Sequence, residues 1–425
     1  MDKKDRKYEV FFLALSIMIF GMFIYFVYIG YFAGHVPQDE SQAAANPPVI
    51  SVTPDITASA DIIDIPDITT EELAEPDEPE ITEYRITFTG TGDNVIHPCL
   101  WMDAKNRAVP GGREYNFKPV FGDVADMIAG ADIAFINQET PMAGEGFELS
   151  GYPMFNSPQD LGHDLVELGF DVINIANNHM LDKGQRGLIN TANFLRSLGV
   201  TVIGDYLNGD ELYQIKTVER GGIKIAFLAY TYSTNGVVLP AGSEIIIPYI
   251  GDELILSQVE KAKSAADAVI ISIHWGDEDS FRPNAEQKRV AQLMADSGVL
   301  AIIGHHPHVL QPIEWLERKD GGRTLCVYSL GNFASGMMRP MNMIGGFIGF
   351  DIVKRGSLVE LDNPVFTPTI YYYGQGWLNG HAYLLESYTP ALALAHGTFT
   401  RHGYSRSVDE LREYVTKNIS AEFLR

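Results

Sequence analysis

Five short clusters of side chains that could bind a metal ion or a substrate each follow an apolar segment of the chain. They contain aspartate, glutamate, asparagine and histidine, but no cysteine. Imidazole nitrogens mixed with carboxylate and amide oxygens suit Mn, Zn, Fe or Ni, whereas the lack of thiolates excludes a structural zinc cluster. The clusters are Thr89–Asp93, Asn137–Glu139, Asn177–His179, His274–Gly276 and Gly304–His308.

Taken alone, most clusters have an ordinary structural explanation. Asp93 follows a glycine, as turn residues often do, and Glu139 precedes Thr-Pro in what could be a solvated loop. Asn178 and Asp182 precede a helix-like segment and could be capping groups. A single histidine such as His274 is more often a hydrogen-bonded core residue than a ligand. None of these residues therefore establishes a site by itself.

His306 and His308 flank a proline, and two histidines at this spacing on an extended segment place both rings on one face, which favours a metal. The carboxyl ends of strands in α/β sheets converge on one crevice, so all five clusters are expected to share a site. Two divalent ions about 3.5–4 Å apart need a bridging oxygen and several terminal ligands. The combined set supplies them and predicts a binuclear hydrolytic site.

The clusters are connected by an alternation of short β-branched apolar segments and longer amphipathic ones. The strand-like segments are 85–89, 132–136, 171–175, 224–229, 268–274, 299–303, 324–329 and 347–353. The helix-like segments are 118–129, 159–168, 186–198, 253–266 and 284–297, with a further short helix at 408–418. This alternation predicts an α/β domain with buried, largely parallel strands. It does not distinguish a doubly wound sheet from a two-sheet sandwich.

The same clusters lie in ordered blocks that resemble the CapA (poly-γ-glutamate synthesis) family of the calcineurin-like metallophosphoesterase superfamily. The resemblance covers about residues 84–353. Its blocks are Gly92-Asp93, Asn-Gln-Glu-Thr-Pro at 137–141, Asn-Asn-His-Met-Leu-Asp at 177–182, His-Trp-Gly-Asp-Glu at 274–278, Gly-His-His-Pro-His-Val at 304–309 with Gln311, and Tyr-Ser-Leu-Gly-Asn-Phe at 328–333.

The resemblance implies a four-layer αββα sandwich with two divalent ions. It implies that His179 acts on the substrate as a general acid or transition-state stabiliser, that Asp182 and Glu278 face the substrate or support the ligands, and that Asn332 lies in a loop near the site. The implied metal ligands are Asp93, Glu139, Asn178, His274, His306 and His308. Ordinary phosphoesterases have Asp-x-His where this chain has Asp-Asn-Val from Asp93, and usually an aspartate where it has Glu139.

The N-terminal region predicts a membrane anchor followed by a linker. No charged residue occurs from Val10 to Phe32, which is long enough for a helix to cross a bilayer, and four basic residues precede it. A cleaved signal peptide is the alternative, but the apolar segment is longer than usual and no clear cleavage site follows. We therefore expect a cytoplasmic N-terminus (1–9), an anchor (10–33), a disordered Pro-rich acidic linker (34–83), an extracytoplasmic domain (84–360) and a C-terminal extension (361–425).

The charge and cysteine content of the chain limit the kinds of partner that it is expected to bind. The net charge of -24 argues against nucleic acid. The two cysteines, Cys99 and Cys326, form no metal-binding pair, and nothing in the sequence specifically supports a disulfide between them. The expected partners are the bilayer and, from the family resemblance, poly-γ-glutamate and its membrane synthase.

Two functions are compatible with the sequence. One is a metal-dependent hydrolase or transferase acting outside the cell on a phosphoryl or γ-glutamyl amide bond. The other is a non-catalytic accessory factor that binds the polymer or its synthase. A divalent cluster can bind a phosphate or a row of carboxylates, so ligand types alone do not choose between them.

Overall fold

The computed structural model describes residues 82–398 and 406–424. The predicted anchor (10–33) and nearly all of the predicted linker (34–83) lie outside the described residues. Within those two ranges no helix is both long and apolar enough to cross a membrane. The described ranges contain the segments that carry the five polar clusters.

The first sheet contains the strands β1 (Glu83–Val95), β2 (Ile133–Gln138), β3 (Val172–Asn174), β4 (Thr201–Ile203), β11 (Asn332–Ser335), β12 (Ile344–Arg355), β13 (Leu358–Tyr372) and β14 (His381–Leu384). Their order is β14-β13-β12-β1-β2-β3-β4, with β11 also paired to β1. Strands β1 to β4 are parallel. The expectation of largely parallel strands is wrong for the segment predicted at 347–353. That segment belongs to β12, which is antiparallel to β1 and joined to β13 by a tight turn that only antiparallel neighbours permit.

The second sheet contains β5 (Lys216–Arg220), β6 (Ile223–Thr231), β7 (Ala268–His274), β8 (Ala301–His305), β9 (Leu310–Glu317) and β10 (Arg323–Leu330). Its order is β5-β6-β7-β8-β10-β9. The four central strands are parallel, and β5 and β9 are antiparallel edge strands. The described residues thus form an α/β sandwich of two mixed sheets.

The α-helices of the described residues are α1 (Pro98–Asn106), α2 (Ala125–Ala129), α3 (Asp160–Leu168), α4 (Gly184–Ser197), α5 (Asp252–Ala265), α6 (Ala285–Asp296), α7 (Pro390–Ala395) and α8 (Val408–Asn418). The helix predicted at 118–129 is wrong in its first half, which consists of two 3₁₀ turns, Lys118–Val120 and Gly122–Val124, before α2. Pro119 lacks a backbone donor and Gly122 has low helix propensity, so a continuous α-helix is disfavoured there.

The two faces of β6 define the layers of the sandwich. Ile225 and Phe227 belong to the core shared by both sheets, and the Phe227 ring stacks on Phe88 of β1 with centroids 6.4 Å apart. Leu228 and Tyr230, on the opposite face, pack with residues of α5 and α6 in a second apolar cluster. Alternate side chains of this strand therefore fill different layers, as the two-residue period of a strand requires.

The C-terminal residues continue the first sheet. Strand β13 runs across the boundary predicted between residues 360 and 361, and β14 pairs with it. Phe423 is buried in the shared core, and Leu424 forms a parallel bridge with Phe366 of β13. Cys99 and Cys326 are both free thiols.

Candidate metal centre

The carboxyl ends of the parallel strands bring the predicted clusters to one place between the sheets. In the first sheet Asp93 lies beside Asn137 of β2 and Asn332 of β11. In the second sheet His274 at the end of β7 lies beside His305 at the end of β8. Close packing here depends on glycine, since a Cβ on Gly92 would lie 2.0 Å from the carbonyl oxygen of Gly331.

Five predicted ligands form two overlapping groups. Glu139 belongs to both: to one with His306 and His308, and to the other with Asp93 and His274. Within each group the potential ligand atoms lie within 4.8 Å of one another, and all five residues are buried. The Oε1 atom of Glu139 is 3.6 Å from Nε2 of His308 and 3.7 Å from Nε2 of His274. Glu139 is therefore within reach of both groups.

Several atoms of this cluster are buried with unused hydrogen-bonding capacity. Neither carboxylate oxygen of Glu139, nor Nδ1 of His274 or His306, has a hydrogen-bond partner among the described residues. Such groups are costly to bury unless something else coordinates them. The donor set of carboxylate, amide and imidazole groups also suits a divalent transition metal. The cluster fits divalent metal binding.

Burial sets the protonation of the neutral histidines. It lowers the pKa of His306 to about 3, and the charge of His308 adds to the effect. It also lowers the pKa of His274 well below its ordinary value, with His306 adding repulsion. Both rings are therefore neutral at physiological pH. A neutral imidazole is the form that can donate a lone pair to a metal.

The pKa values of Asp93, Glu139 and His308 depend on the charges of these residues as well as on burial. Burial alone would raise the pKa of Asp93, but His305 and His308 hold it well below its ordinary range. Burial raises the pKa of Glu139 well above its ordinary range, and repulsion from Asp93 and Glu278 raises it further. Attraction to His308 lowers it, but by less. Burial would lower the pKa of His308, but Glu139 and Asp93 raise it to about 10. A divalent cation here would instead favour an ionised Glu139.

The loop after β3 places Asn178 in contact with the same cluster, and His179 is the next residue in that loop. Nε2 of His274 lies 3.0 Å from Oδ1 of Asn178. The turn is held by Asn177, whose side chain bonds to the backbone of Gln138 and of His179. Asn178 thus contacts His274, another predicted ligand, and its own role as a ligand remains a prediction.

Asp182 holds the His179 ring. Its Oδ2 atom lies 2.8 Å from Nδ1 of His179 and accepts the backbone N–H of Phe155 at 2.7 Å. The ring of Phe155 packs edge-on against His179, with centroids 4.8 Å apart. Asp182 is almost completely buried, so its contact is with His179 and the backbone of this chain. The predicted role of His179 on a substrate remains a prediction.

Glu278 is exposed and differs in this from the other predicted site residues. Its negative charge nevertheless raises the pKa values of Glu139 and His308. Its predicted role as a substrate-facing or supporting group remains a prediction.

The backbone at His306 and His308 differs from the sequence expectation. The two rings do converge, with centroids 5.9 Å apart, but not through an extended segment. Both residues have positive φ angles, 98° and 56°, which non-glycine residues rarely adopt. The two rings do lie close together as expected, but the reason given, alternation of side chains along an extended strand, was wrong. Both side chains are buried.

Sequence reasoning missed four side chains at this site. His305 is buried with Nδ1 3.3 Å from Oδ1 of Asp93. Tyr232, which is partly exposed, packs its ring 4.6 Å from that of His306. His97 packs edge-on against Phe155 with centroids 5.1 Å apart, and Asn342 bonds to the backbone of His308. His305 was visible in the Gly-His-His-Pro-His block, whereas the other three had no spacing signal.

The family model described as "Bacterial capsule synthesis protein PGA_cap" matches residues 87–337, which is more than half of the chain. The chain belongs to this family. All nine predicted site residues fall inside the matched range.

Similar proteins include the "PGA biosynthesis protein CapA" of Bacillus subtilis (strain 168), which is 37% identical over 204 residues, covering 45% of this chain and 50% of that protein. The "Capsule biosynthesis protein CapA" of Bacillus anthracis is 33% identical over 171 residues, covering 39% of this chain and 40% of that protein. The matched region thus spans half or less of each relative. A 5'-nucleotidase precursor from Thermus thermophilus is similar in structure, with a TM-score of 0.43 and 16% identity over 79% of this chain and 59% of that one.

Proposed function

We propose that this chain is a membrane-anchored, extracytoplasmic member of the PGA_cap family that acts in poly-γ-glutamate or capsule synthesis or export through a divalent-metal, hydrolase-type site. The observation that carries the proposal is the buried group of Glu139, His306 and His308, together with the His179–Asp182 pair in the turn whose Asn178 contacts His274. A ligand-rich cluster next to an oriented histidine is the arrangement that metal-assisted hydrolysis requires.

Two divalent ions, of Mn, Zn, Fe or Ni, would be held by Asp93, Glu139, Asn178, His274, His306 and His308. When bound, such ions polarise a phosphoryl or acyl group and activate water for attack. The remaining contributions come from the chain itself. Asp93 is kept ionised by His305 and His308, and its buried position excludes bulk water from the ligands.

His179 is the group proposed to move a proton. Its Nδ1 atom is occupied by Asp182, which leaves Nε2 to hold or release a proton toward a substrate. The buried carboxylate of Asp182 stabilises a positively charged ring and restricts its rotation. The substrate class proposed is a phosphoester or a γ-glutamyl amide.

The relatives suggest a second candidate. Their names describe biosynthesis of a polymer, not its breakdown. A metal cluster that binds glutamate carboxylates without chemistry would let the chain act as an accessory factor for poly-γ-glutamate and its membrane synthase. In that case His179 would have no proton to move.

The deciding experiment uses purified full-length protein with its metal content measured by elemental analysis. It would be assayed on chromogenic phosphoesters and on γ-glutamyl peptides, beside the His179→Asn variant. Metal-dependent turnover that is lost in the variant would support the enzyme. Bound metal without turnover, together with normal polymer production by cells carrying His179→Asn, would support the accessory factor. Protein that binds no divalent metal would overturn the metal site.

A further inference from the structure

The unusual backbone at His306 and His308 is held by a separate set of polar residues. Asp279 also has a positive φ, 59°, and its backbone N–H donates to the carbonyl of Pro307 at 2.9 Å. The side-chain amide of Asn342 donates to the carbonyl of His308 at 3.1 Å and to Asp279 at 3.0 Å. Arg339 pairs with the other oxygen of Asp279. These contacts hold the main chain of the histidine loop.

The ring of His308 is held by a different residue. Oδ1 of Asn332 lies 3.0 Å from Nδ1 of His308. Asn332 is completely buried, at the start of β11 and beside Asp93 in the strand register. Its backbone is therefore held by the sheet.

The orientation of the Asn332 amide follows from its other contacts. Its Nδ2 atom lies 3.0 Å from the carbonyl oxygen of Asn342 and 3.4 Å from that of His308. Carbonyl oxygens only accept, so the amide nitrogen must face them and the amide oxygen must face the His308 ring. Nδ1 of His308 then donates its hydrogen bond to Oδ1 of Asn332. Oδ2 of Asp93 lies 3.1 Å from the same nitrogen and is a second acceptor. The opposite nitrogen, Nε2, faces Glu139.

We propose that Asn332 is a positioning residue of the metal centre, which accepts the Nδ1–H of His308 and so presents Nε2 of that ring to a divalent cation shared with Glu139 and His306. The inference rests on the proposed metal site and adds a residue to it. Hydrogen bonds from the second nitrogen of a ligand histidine fix its tautomer and orientation, and their loss commonly weakens metal affinity about 10- to 100-fold.

The test is a Co²⁺ titration of metal-stripped full-length protein, followed by visible absorption, for the wild type and three variants. Asn332→Ala removes one of the two acceptors for Nδ1–H of His308, leaving Asp93, and should weaken Co²⁺ binding about 10-fold or more. Asn332→Asp retains an acceptor for Nδ1 of His308 but loses the donor to the carbonyls of Asn342 and His308, so it should restore only part of that loss. Asn342→Ala is the matched control, because it removes support from the His308 backbone but leaves Asn332 on the ring.

A spectroscopic measurement separates ring orientation from general stability. The Co²⁺ protein should show paramagnetically shifted, exchangeable imidazole N–H protons, and the signal of His308 is the one missing from His308→Gln measured at a Co²⁺ concentration that keeps the remaining signals visible. In Asn332→Ala this signal should shift or exchange with water, whereas Asn342→Ala should keep it even where thermal stability falls.

The outcomes distinguish the two proposals. Wild-type protein that binds no Co²⁺ would overturn the metal site itself. Wild-type binding with unchanged affinity and an unchanged N–H signal in Asn332→Ala would overturn only the positioning role. If Asn332→Ala and Asn342→Ala weaken Co²⁺ binding equally and both retain the imidazole N–H signal, the effect comes from the histidine loop. That result would also overturn the positioning role of Asn332.

Discussion

Nδ1 of His179 lies 2.8 Å from Oδ2 of Asp182, and the two residues are three positions apart in a turn that also carries Asn178. The same carboxylate oxygen accepts the backbone N–H of Phe155. One buried aspartate therefore connects the proposed proton donor to the loop that packs against it. This relationship makes separate predictions for each member of the turn.

For Asp182→Asn, we expect a rate loss on the order of 10²-fold with metal content preserved. Asparagine can still accept a hydrogen bond but carries no negative charge to stabilise a protonated His179. Steady-state rates and elemental analysis would be compared with wild type. Metal loss in parallel with the rate would contradict this role and assign Asp182 to maintenance of the cluster.

For His179→Asn, we expect near-normal metal content and thermal stability, with a rate loss on the order of 10² to 10⁴. The ring contacts Asp182 and Phe155, not the Glu139 cluster, so its removal should leave the ligands in place. Asn178→Ala is the comparison variant, and it should lose metal and rate together. A His179→Asn protein that retains wild-type turnover would remove the catalytic role.

For His306→Ala and His308→Ala, we expect loss of bound metal in a protein that still folds. Both residues lie in the group with Glu139, and they extend from a loop held by backbone contacts. Elemental analysis and circular dichroism would measure the two effects. His163→Ala, which removes a histidine packed on Phe194 in a different helix, is the control. Unchanged metal in both loop variants would refute the binuclear assignment, and loss of only one equivalent would indicate two unequal sites.

The central strands, and the residues that lie together between the sheets, could be predicted from the sequence because both follow local patterns. Buried parallel strands appear as apolar segments, and five of these segments lead directly into the polar clusters. The antiparallel path of β12 could not be read from 347–353, because one strand's pattern does not specify its partner's direction. The positive φ angles of His306 and His308 were equally hidden, since they depend on Asp279 and Asn342. Tyr232 and His97 reach the site through tertiary packing alone.

Placement of the domain outside the cell remains a prediction from charge asymmetry across residues 10–33. A reporter enzyme fused after Glu83 should be active only outside the cytoplasm. Replacing the basic residues of 1–9 by neutral ones should reduce that activity, whereas replacing the same number of acidic residues within 71–83 should not. Reporter activity confined to the cytoplasm would reject the orientation.

A final prediction concerns His396, which directly follows α7 and is completely buried. Its Nδ1 accepts the backbone N–H of Thr398 at 3.2 Å, and its Nε2 lies 3.1 Å from the carbonyl oxygen of Tyr371. A neutral ring with its proton on Nε2 satisfies both contacts, whereas a doubly protonated ring loses the first. Burial lowers the pKa of His396 to about 4, against the opposing effect of the Tyr371 carbonyl.

The sign of the pH effect follows from that lowered pKa. Between about pH 6.5 and pH 4 the unfolded chain binds a proton at His396 and the folded chain does not, so the free energy of unfolding falls as the pH falls through this window. The full effect corresponds to roughly 3 kcal/mol. Urea unfolding of wild type and His396→Gln at several pH values would measure it, with His163→Gln as the control. Because other groups titrate in the same range, the decisive quantity is the difference between the two proteins in the slope of the free energy of unfolding against pH. The stability of His396→Gln should fall less at low pH than that of wild type. Parallel curves would show that His396 is protonated in the folded state as readily as in the unfolded one.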